Sequence, residues 1–260
     1  MVVCIWLLIC LSILSVSIGK VVSSQINFSR YYLDGEQSYY LTLAALKQAM
    51  VERDNDSTPT YDTLFELRTL REIAFGVNTA EYALIDEESK VNINYADIEI
   101  LEELLGSYFL ADDLVEYRKE NTFTCIEELL NMTEIDQGLF RSINEHITVH
   151  GQGSVNINTA SKQVLLALGC SQDSCKKILG YRGGEDGRQI TPDDAVFDSS
   201  QTISRVLQDL SIDCQHHKLF TSKSSNYTLK TQPRIGKRLG EGISVTFSAE
   251  EIKSWRRNSL

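Results

Sequence analysis

The chain lacks the short signatures that mark common enzymes. It has no G-x-S-x-G, no P-loop and no H-E-x-x-H in its 260 residues. The four histidines, His146, His150, His216 and His217, supply one adjacent pair and no paired nucleophile, so the sequence reads as a non-enzyme. Positive charge is also scarce. A formal net charge of −11 disfavours nucleic acid and anionic lipid surfaces as partners. Met1–Gly19 holds no charged residue of either sign, and it is long enough to cross a hydrocarbon core as one helix. No basic residue precedes this run, and it passes directly into an amphipathic segment. It therefore reads as an uncleaved anchor, since a secretory signal would have a basic start and a small-residue cleavage site. Lys20 is the nearest basic residue, so charge sets the orientation weakly.

Six cysteines are present, and Cys4 and Cys10 fall in the apolar run as small hydrophobes. Cys125, Cys170, Cys175 and Cys214 are an even set compatible with two disulfides in an oxidising compartment. Cys170 and Cys175 are near enough in sequence to pair locally, although a continuous helix would hold their side chains apart. Zinc is disfavoured, because the spacing is loose and only His216-His217 stand near Cys214.

What is present is a duplication. Val91-Asn92-Ile93-Asn94 recurs 64 residues later as Val155-Asn156-Ile157-Asn158, and Ala96, Leu101, Leu104 and Tyr117-Arg118 find counterparts in Ala160, Leu165, Leu168 and Tyr181-Arg182. Matches at one fixed offset imply two copies of one structural unit. Asn94 and Asn158 are placed as helix N-caps, with Asp97 and Ser161 three residues on. Apolar residues then recur at helical spacing, a short break follows at Gly106-Ser107 and Gly169-Cys170, and a second helix leads to the Tyr-Arg pair. Those pairs are expected to hold each repeat together by packing and hydrogen bonding. Ile147-Thr148-Val149 closes the first repeat as a strand, and Tyr227-Thr228-Leu229 is aligned with it in the second. Acidic pairs such as Glu102-Glu103 and Asp112-Asp113 read as solvated helix faces.

Ahead of the repeats, Val21, Val22, Ile26, Tyr32, Leu33, Tyr40, Leu43 and Leu46 continue the first helix to about Val51, and Asn55 to Thr60 ends it with turn-forming residues and a proline. After them, Tyr227–Lys230 and Ile243–Phe247 read as strands separated by glycine-containing turns.

These pieces together resemble general secretion pathway protein K, a minor pseudopilin of type II secretion. The likeness is carried by the apolar start, by Gln37-Ser38-Tyr39-Tyr40-Leu41, by Asp86-Glu87-Glu88-Ser89-Lys90 running into Val91, by Val155 to Ala160, and by Ile252-Lys253-Ser254-Trp255-Arg256-Arg257. It spans essentially the whole chain. It implies an α+β, type IV pilin-like fold, in which a long N-terminal helix lies on an antiparallel sheet and a large helical insertion holds two helix-hairpin-helix (SAM-like) repeats. The corresponding division is a transmembrane helix at 1–19, an amphipathic stalk helix at 20–54, a pilin-like sheet region at 55–90 and 225–260, and helical repeats at 91–146 and 155–222, the second with an acidic loop at 183–198.

The resemblance also implies a role at the tip of the periplasmic pseudopilus, where the protein would initiate assembly with other minor pseudopilins. It would be anchored once in the inner membrane, with its C-terminal domain in the periplasm. Major pseudopilins place a glutamate in the apolar run to neutralise a neighbour's terminal amine, which would be costly to leave unpaired in lipid. Met1–Gly19 has no Asp or Glu, which suits an end position better than a repeating one. Members of the family begin with a basic leader cut by prepilin peptidase. The alignment of Trp6-Leu7-Leu8 implies a cleavage point a few residues before Met1, with either a misplaced start codon or lost processing as the cause. Calcium is the one expected ligand. Glu185, Asp186, Asp193, Asp194 and Asp198 lie on flexible, glycine-containing backbone, and hard divalent cations require several oxygens together.

Two other readings share these residues. The repeats also resemble helix-hairpin-helix modules of competence-type DNA receptors, but neither hairpin offers a G-x-G turn. Residues 86 to 148 hold 16 acidic against 4 basic side chains. A minor pilin of a type IV pilus would share the same architecture.

Overall fold

The computed structural model describes residues 1–249 and 251–258. One helix, α1 (Val2–Asp54), runs unbroken for 53 residues, about 80 Å at the standard rise. Its first part is apolar on all sides and packs on nothing. From Ser38 onward, Leu41, Thr42, Ala45, Leu46 and Ala49 are buried at three- and four-residue spacing, which places one stripe of the helix on a sheet. Ala45 and Ala49 keep that approach close, and Tyr39 stacks against Trp255 near the chain end at 4.9 Å between ring centroids.

A short α2 (Leu64–Arg68), capped by the Thr63 hydroxyl, leads into the hairpin β1 (Arg71–Phe75) and β2 (Asn78–Asp86). The helical insertion then intervenes. Its first repeat contains β3 (Val91–Asn92), α3 (Ile98–Leu105), α4 (Tyr108–Glu120), α5 (Gln137–Ile143) and β4 (Ile147–Thr148). The second contains β5 (Val155–Asn156), α6 (Lys162–Ala167), α7 (Gln172–Arg182), α8 (Ser200–Asp209) and β6 (Phe220–Thr221). The chain returns through β7 (Asn226–Ile235), β8 (Arg238–Leu239), β9 (Gly242–Ser248) and β10 (Ile252–Asn258). The sheet is antiparallel in the order β1-β2-β7-β9-β10, with β8 pairing β7. The strands flanking the insertion, β2 and β7, are neighbours in register from Thr79↔Arg234 to Asp86↔Tyr227. The insertion is thus a closed excursion from the end of one hairpin-like pair, and it leaves the helix-on-sheet core intact.

Two cores result. Tyr82, Leu84, Tyr227, Leu229, Val245 and Phe247 pack under α1. The two repeats share a second core, in which Ile93, Ile100, Leu101, Leu114 and Phe123 of the first meet Ile157, Val164, Leu165, Ile178 and Phe197 of the second. In each repeat the entry strand pairs in parallel with its own closing strand, Val91 with Ile147 and Val155 with Phe220. The second repeat therefore closes at Phe220–Thr221. Tyr227-Thr228-Leu229, aligned with the closing strand from sequence, belongs instead to the main sheet. Both hairpin breaks need glycine. Gly106 ends α3 at φ 67°, and a Cβ on Gly169 (φ 74°) would lie 2.6 Å from the Cβ of Gln215.

The repeats are fastened in a way the N-cap assignment missed. Asp97 and Ser161 occupy the cap positions of α3 and α6, and the Ser161 hydroxyl accepts from Val164 N. Asn94 and Asn158 instead act as lateral ties. The Phe123 N–H donates to Asn94 Oδ1 at 2.9 Å while Asn94 Nδ2 donates to Phe123 O at 3.0 Å. Asn158 makes the same pair with Phe197, at 2.9 and 3.0 Å, and also donates to Ser222 O. One carboxamide replaces a rung of backbone pairing where the chain comes back past the second helix. The Tyr-Arg pairs complete the closure. Arg118 donates to Ile93 O at 2.8 Å and Arg182 to Ala160 O at 2.7 Å. The Tyr117 and Tyr181 rings stack on Phe123 and Phe197 at 4.9 and 4.7 Å. Arg182 is buried with carbonyl partners, and that burial brings its pKa down to about 10.

Candidate functional site

Two regions stand apart from ordinary packing: the exposed part of α1, and a buried charged junction where helix, sheet and insertion meet. Along α1, Trp6, Leu8, Ile13, Phe28, Tyr31 and Tyr32 are all at least 60% exposed. The first eighteen or so helical residues have a mean hydropathy of 2.6 and are long and apolar enough to cross a membrane. The apolar character continues past Lys20 through Val21, Val22, Ile26 and Leu33. A helix that is apolar on all sides requires lipid or neighbouring helices to cover it.

The junction is built on Asp62, which is fully buried. Its Oδ1 accepts from Arg53 at 2.8 Å and from Lys223 at 3.0 Å, and its Oδ2 accepts from Ser224 N at 2.8 Å and Tyr227 Oη at 3.0 Å. One carboxylate thus ties the end of α1 to the chain leaving the insertion. Asp56 and Glu66 complete a group of three carboxylates whose oxygens lie within 4.8 Å of one another. Arg53 bonds Glu66, and Lys223 bonds Asp56 at 2.5 Å, so two cations already neutralise the cluster. Although burial opposes its charge, the bonds from Lys223 and Thr58 hold the Asp56 carboxyl down to about 2.

The insertion leaves the sheet through three consecutive acids, Asp86, Glu87 and Glu88, to which the sequence assigned no structural role. All three are buried and bonded. Glu87 accepts from Thr148 at 2.6 Å, Thr228 at 2.7 Å and Lys90 at 2.9 Å. Glu88 accepts from Asn226 N and Nδ2 at 3.0 and 2.7 Å. Asp86 accepts from the Thr159 hydroxyl, while its other oxygen, Oδ1, has no partner. Burial pushes Asp86 up to about 7, and the nearby Glu88 charge adds to the rise. The one signal available in sequence was the run Asp86-Glu87-Glu88 placed directly before a strand that had to be buried. A cleft of about 810 Å³ opens beside the junction, lined by Arg53, Glu88, Lys223, Asn226 and the inter-repeat residues Gly151, Gln152 and Ser154.

The five loop residues proposed for calcium do not converge. The Asp193 carboxylate accepts from the Glu185 and Asp186 N–H groups at 3.1 Å, and Asp194 accepts from Ile190 and Thr191. Asp186 accepts from Arg188 N, and Asp198 from the Ser199 and Thr202 hydroxyls. The carboxylates of Asp186, Asp193, Asp194 and Asp198 thus hold loop or cap donors. Among the described residues the converging carboxylates are Asp56, Asp62 and Glu66.

The cysteine pairing is also resolved. Cys170 and Cys214 form a disulfide spanning 44 residues, and Cys125 and Cys175 are free, so the soluble part holds one disulfide and not two. Cys175 is buried within α7. His216 lies 3.7 Å from Asp97 and 3.5 Å from Glu99, so it bridges the two repeats rather than pairing with His217.

Among known proteins, the helix-hairpin-helix motif family matches residues 86–148, the first repeat. The search of curated proteins by sequence gives no match. In the crystal structure of the GspK-GspI-GspJ complex from the type 2 secretion system of enterotoxigenic Escherichia coli, one chain aligns at a TM-score of 0.63 with 12% identity, over 92% of this chain and 99% of that one. The alignment takes in helix, sheet and insertion alike, so the pilin-like architecture with two inserted helical repeats is the fold of this chain.

Proposed function

We propose that this chain is a minor pseudopilin of the GspK type, which joins other minor pseudopilins at the tip of the pseudopilus and starts its assembly. The observation that carries the reading is the near-complete structural alignment, insertion included, with a chain of a secretion-system complex. Two features of this chain support it. The unpacked apolar half of α1 needs lipid and neighbouring helices to cover it. The lack of any acid in Met1–Gly19 suits a subunit that ends a filament, since it has nothing to offer a following subunit's amine. On this reading the helix is anchored once in the inner membrane, the folded part lies in the periplasm, prepilin peptidase acts on any leader, and no catalytic role is assigned. Co-expression with the two other minor pseudopilins of the same secretion operon tests it. A stable complex of the three is expected, and a chain that elutes alone in their presence would reject the tip assignment.

Calcium binding belongs to the same reading. It requires the loop carboxylates to turn toward one point, and a rise in melting midpoint on calcium titration is the expected sign.

The helix-hairpin-helix match favours a second reading, duplex binding. Three of the sixteen acids counted in that repeat are buried at the junction, but the remainder still outnumber its basic residues more than threefold. A low-salt gel shift is expected to show no complex.

A further inference from the structure

The first hairpin carries a surface that its packing does not use. Tyr108 and Phe109 open α4 at the hairpin tip, 51% and 77% exposed, with their rings edge-to-face at 6.4 Å between centroids. They project from a fixed helix end, since the Ser107 hydroxyl accepts from Leu110 N and α4 buries Ala111 and Leu114. The repeat itself does not require aromatic residues here. At the same offset, the second copy has Gln172 and Asp173 at the start of α7. Glu102 and Glu103 end α3 just before the tip, Asp112 and Asp113 follow Tyr108 and Phe109 at i+4 spacing on α4, all four are exposed, and no Lys or Arg occurs anywhere from Val91 to Tyr117.

Charge decides what can cover this face. A nucleic acid or an anionic membrane would be repelled, and so would the same face of a second copy. A basic protein surface is attracted, and aromatic side chains are the residues best suited to anchor it. We propose that this tip docks a basic protein segment, one that places Lys or Arg on either side of an apolar side chain seated against Tyr108 and Phe109. The proposal stands on the hairpin's own chemistry and does not depend on the pseudopilin reading.

The test uses the full chain in nanodiscs of zwitterionic phosphatidylcholine. Fluorescence anisotropy follows titration with a labelled amphipathic Lys/Leu helical peptide, with its Glu/Leu counterpart, and with a DNA duplex. The Lys/Leu peptide should bind, more weakly as salt is raised, and the other two should not. Tyr108→Ala with Phe109→Ala should weaken binding at least about tenfold, equivalent to ~1.4 kcal/mol, without moving the melting midpoint. The separate variant E102Q/E103Q/D112N/D113N should remove most of the salt dependence. The proposal is overturned by absence of Lys/Leu binding at low salt, by equal affinity of the alanine variant, or by binding of the duplex or the Glu/Leu peptide.

Discussion

Replacing Asn158 by Ala separates a helix cap from a lateral tie, because the two roles predict different magnitudes. A lost N-cap costs about 1 kcal/mol. The tie involves more. The Asn158 side chain accepts from Phe197 N at 2.9 Å and donates to Phe197 O at 3.0 Å and Ser222 O at 3.3 Å, with Phe197 fully buried. Alanine would leave a buried N–H and a buried carbonyl unpaired, each worth about 1–3 kcal/mol, so the expected loss is ~3 kcal/mol. Asn158→Asp should cost at least as much, since its carboxylate would face two carbonyl oxygens without a proton to donate. Asn94→Ala should cost about 2 kcal/mol, because Asn94 is only half-buried and ties Phe123 alone. Ser161→Ala removes the actual cap and should cost ~1 kcal/mol. Urea unfolding of the full chain in detergent, followed by circular dichroism, ranks the four. If Asn158→Ala costs no more than Ser161→Ala, the tie is not what holds the second repeat closed.

Further expectations concern the junction and the disulfide. Asp86 titrates near 7 when folded against an ordinary 3.8. It therefore contributes stability that is full below pH 4 and is lost as pH rises through 7. The melting midpoint of Asp86→Asn should lack that decline, and an unchanged pH profile would place the titration elsewhere. Asp62→Ala leaves the buried Ser224 N–H without its acceptor, while the half-buried Arg53 and Lys223 keep Glu66 and Asp56, for an expected loss of about 1–3 kcal/mol in the same urea assay. Alkylation of the denatured, unreduced protein should label the four cysteines Cys4, Cys10, Cys125 and Cys175, and two labels would indicate a second disulfide. Reducing Cys170–Cys214, which closes a 44-residue separation, should lower stability by up to ~4 kcal/mol.

Much of this architecture was legible in sequence because it rests on periodicity. The 64-residue echo exposed the repeats, and the helical spacing of Ile98, Leu101 and Leu105 exposed α3. Features without a period were misplaced. Asn94 looks like a cap in one dimension, since the same carboxamide serves a local N–H or one 29 residues away with no change in the surrounding pattern. A two-residue parallel bridge such as Phe220–Thr221 leaves no alternation to detect, so the stronger strand at Tyr227 took its place in the alignment. The buried role of Asp86, Glu87 and Glu88 is not visible in sequence because their partners, Thr159, Thr148, Thr228 and Asn226, come from distant segments. Disulfide connectivity likewise depends on the fold, which brings Cys214 beside Cys170 through a bridge between the two residues. The acidic loop was readable as composition, and Asp186, Asp193 and Asp194 accept backbone N–H groups of that loop, an arrangement that no spacing rule reveals.

The central claim, that this chain is processed and assembled as a pseudopilin, is tested most directly by the intact mass and N-terminal sequence of the native protein extracted from membranes. A trimmed, N-methylated terminus at the head of the apolar run is expected. An unmethylated and unprocessed terminus, or a cut near residue 19 that releases the folded part from its anchor, would contradict it.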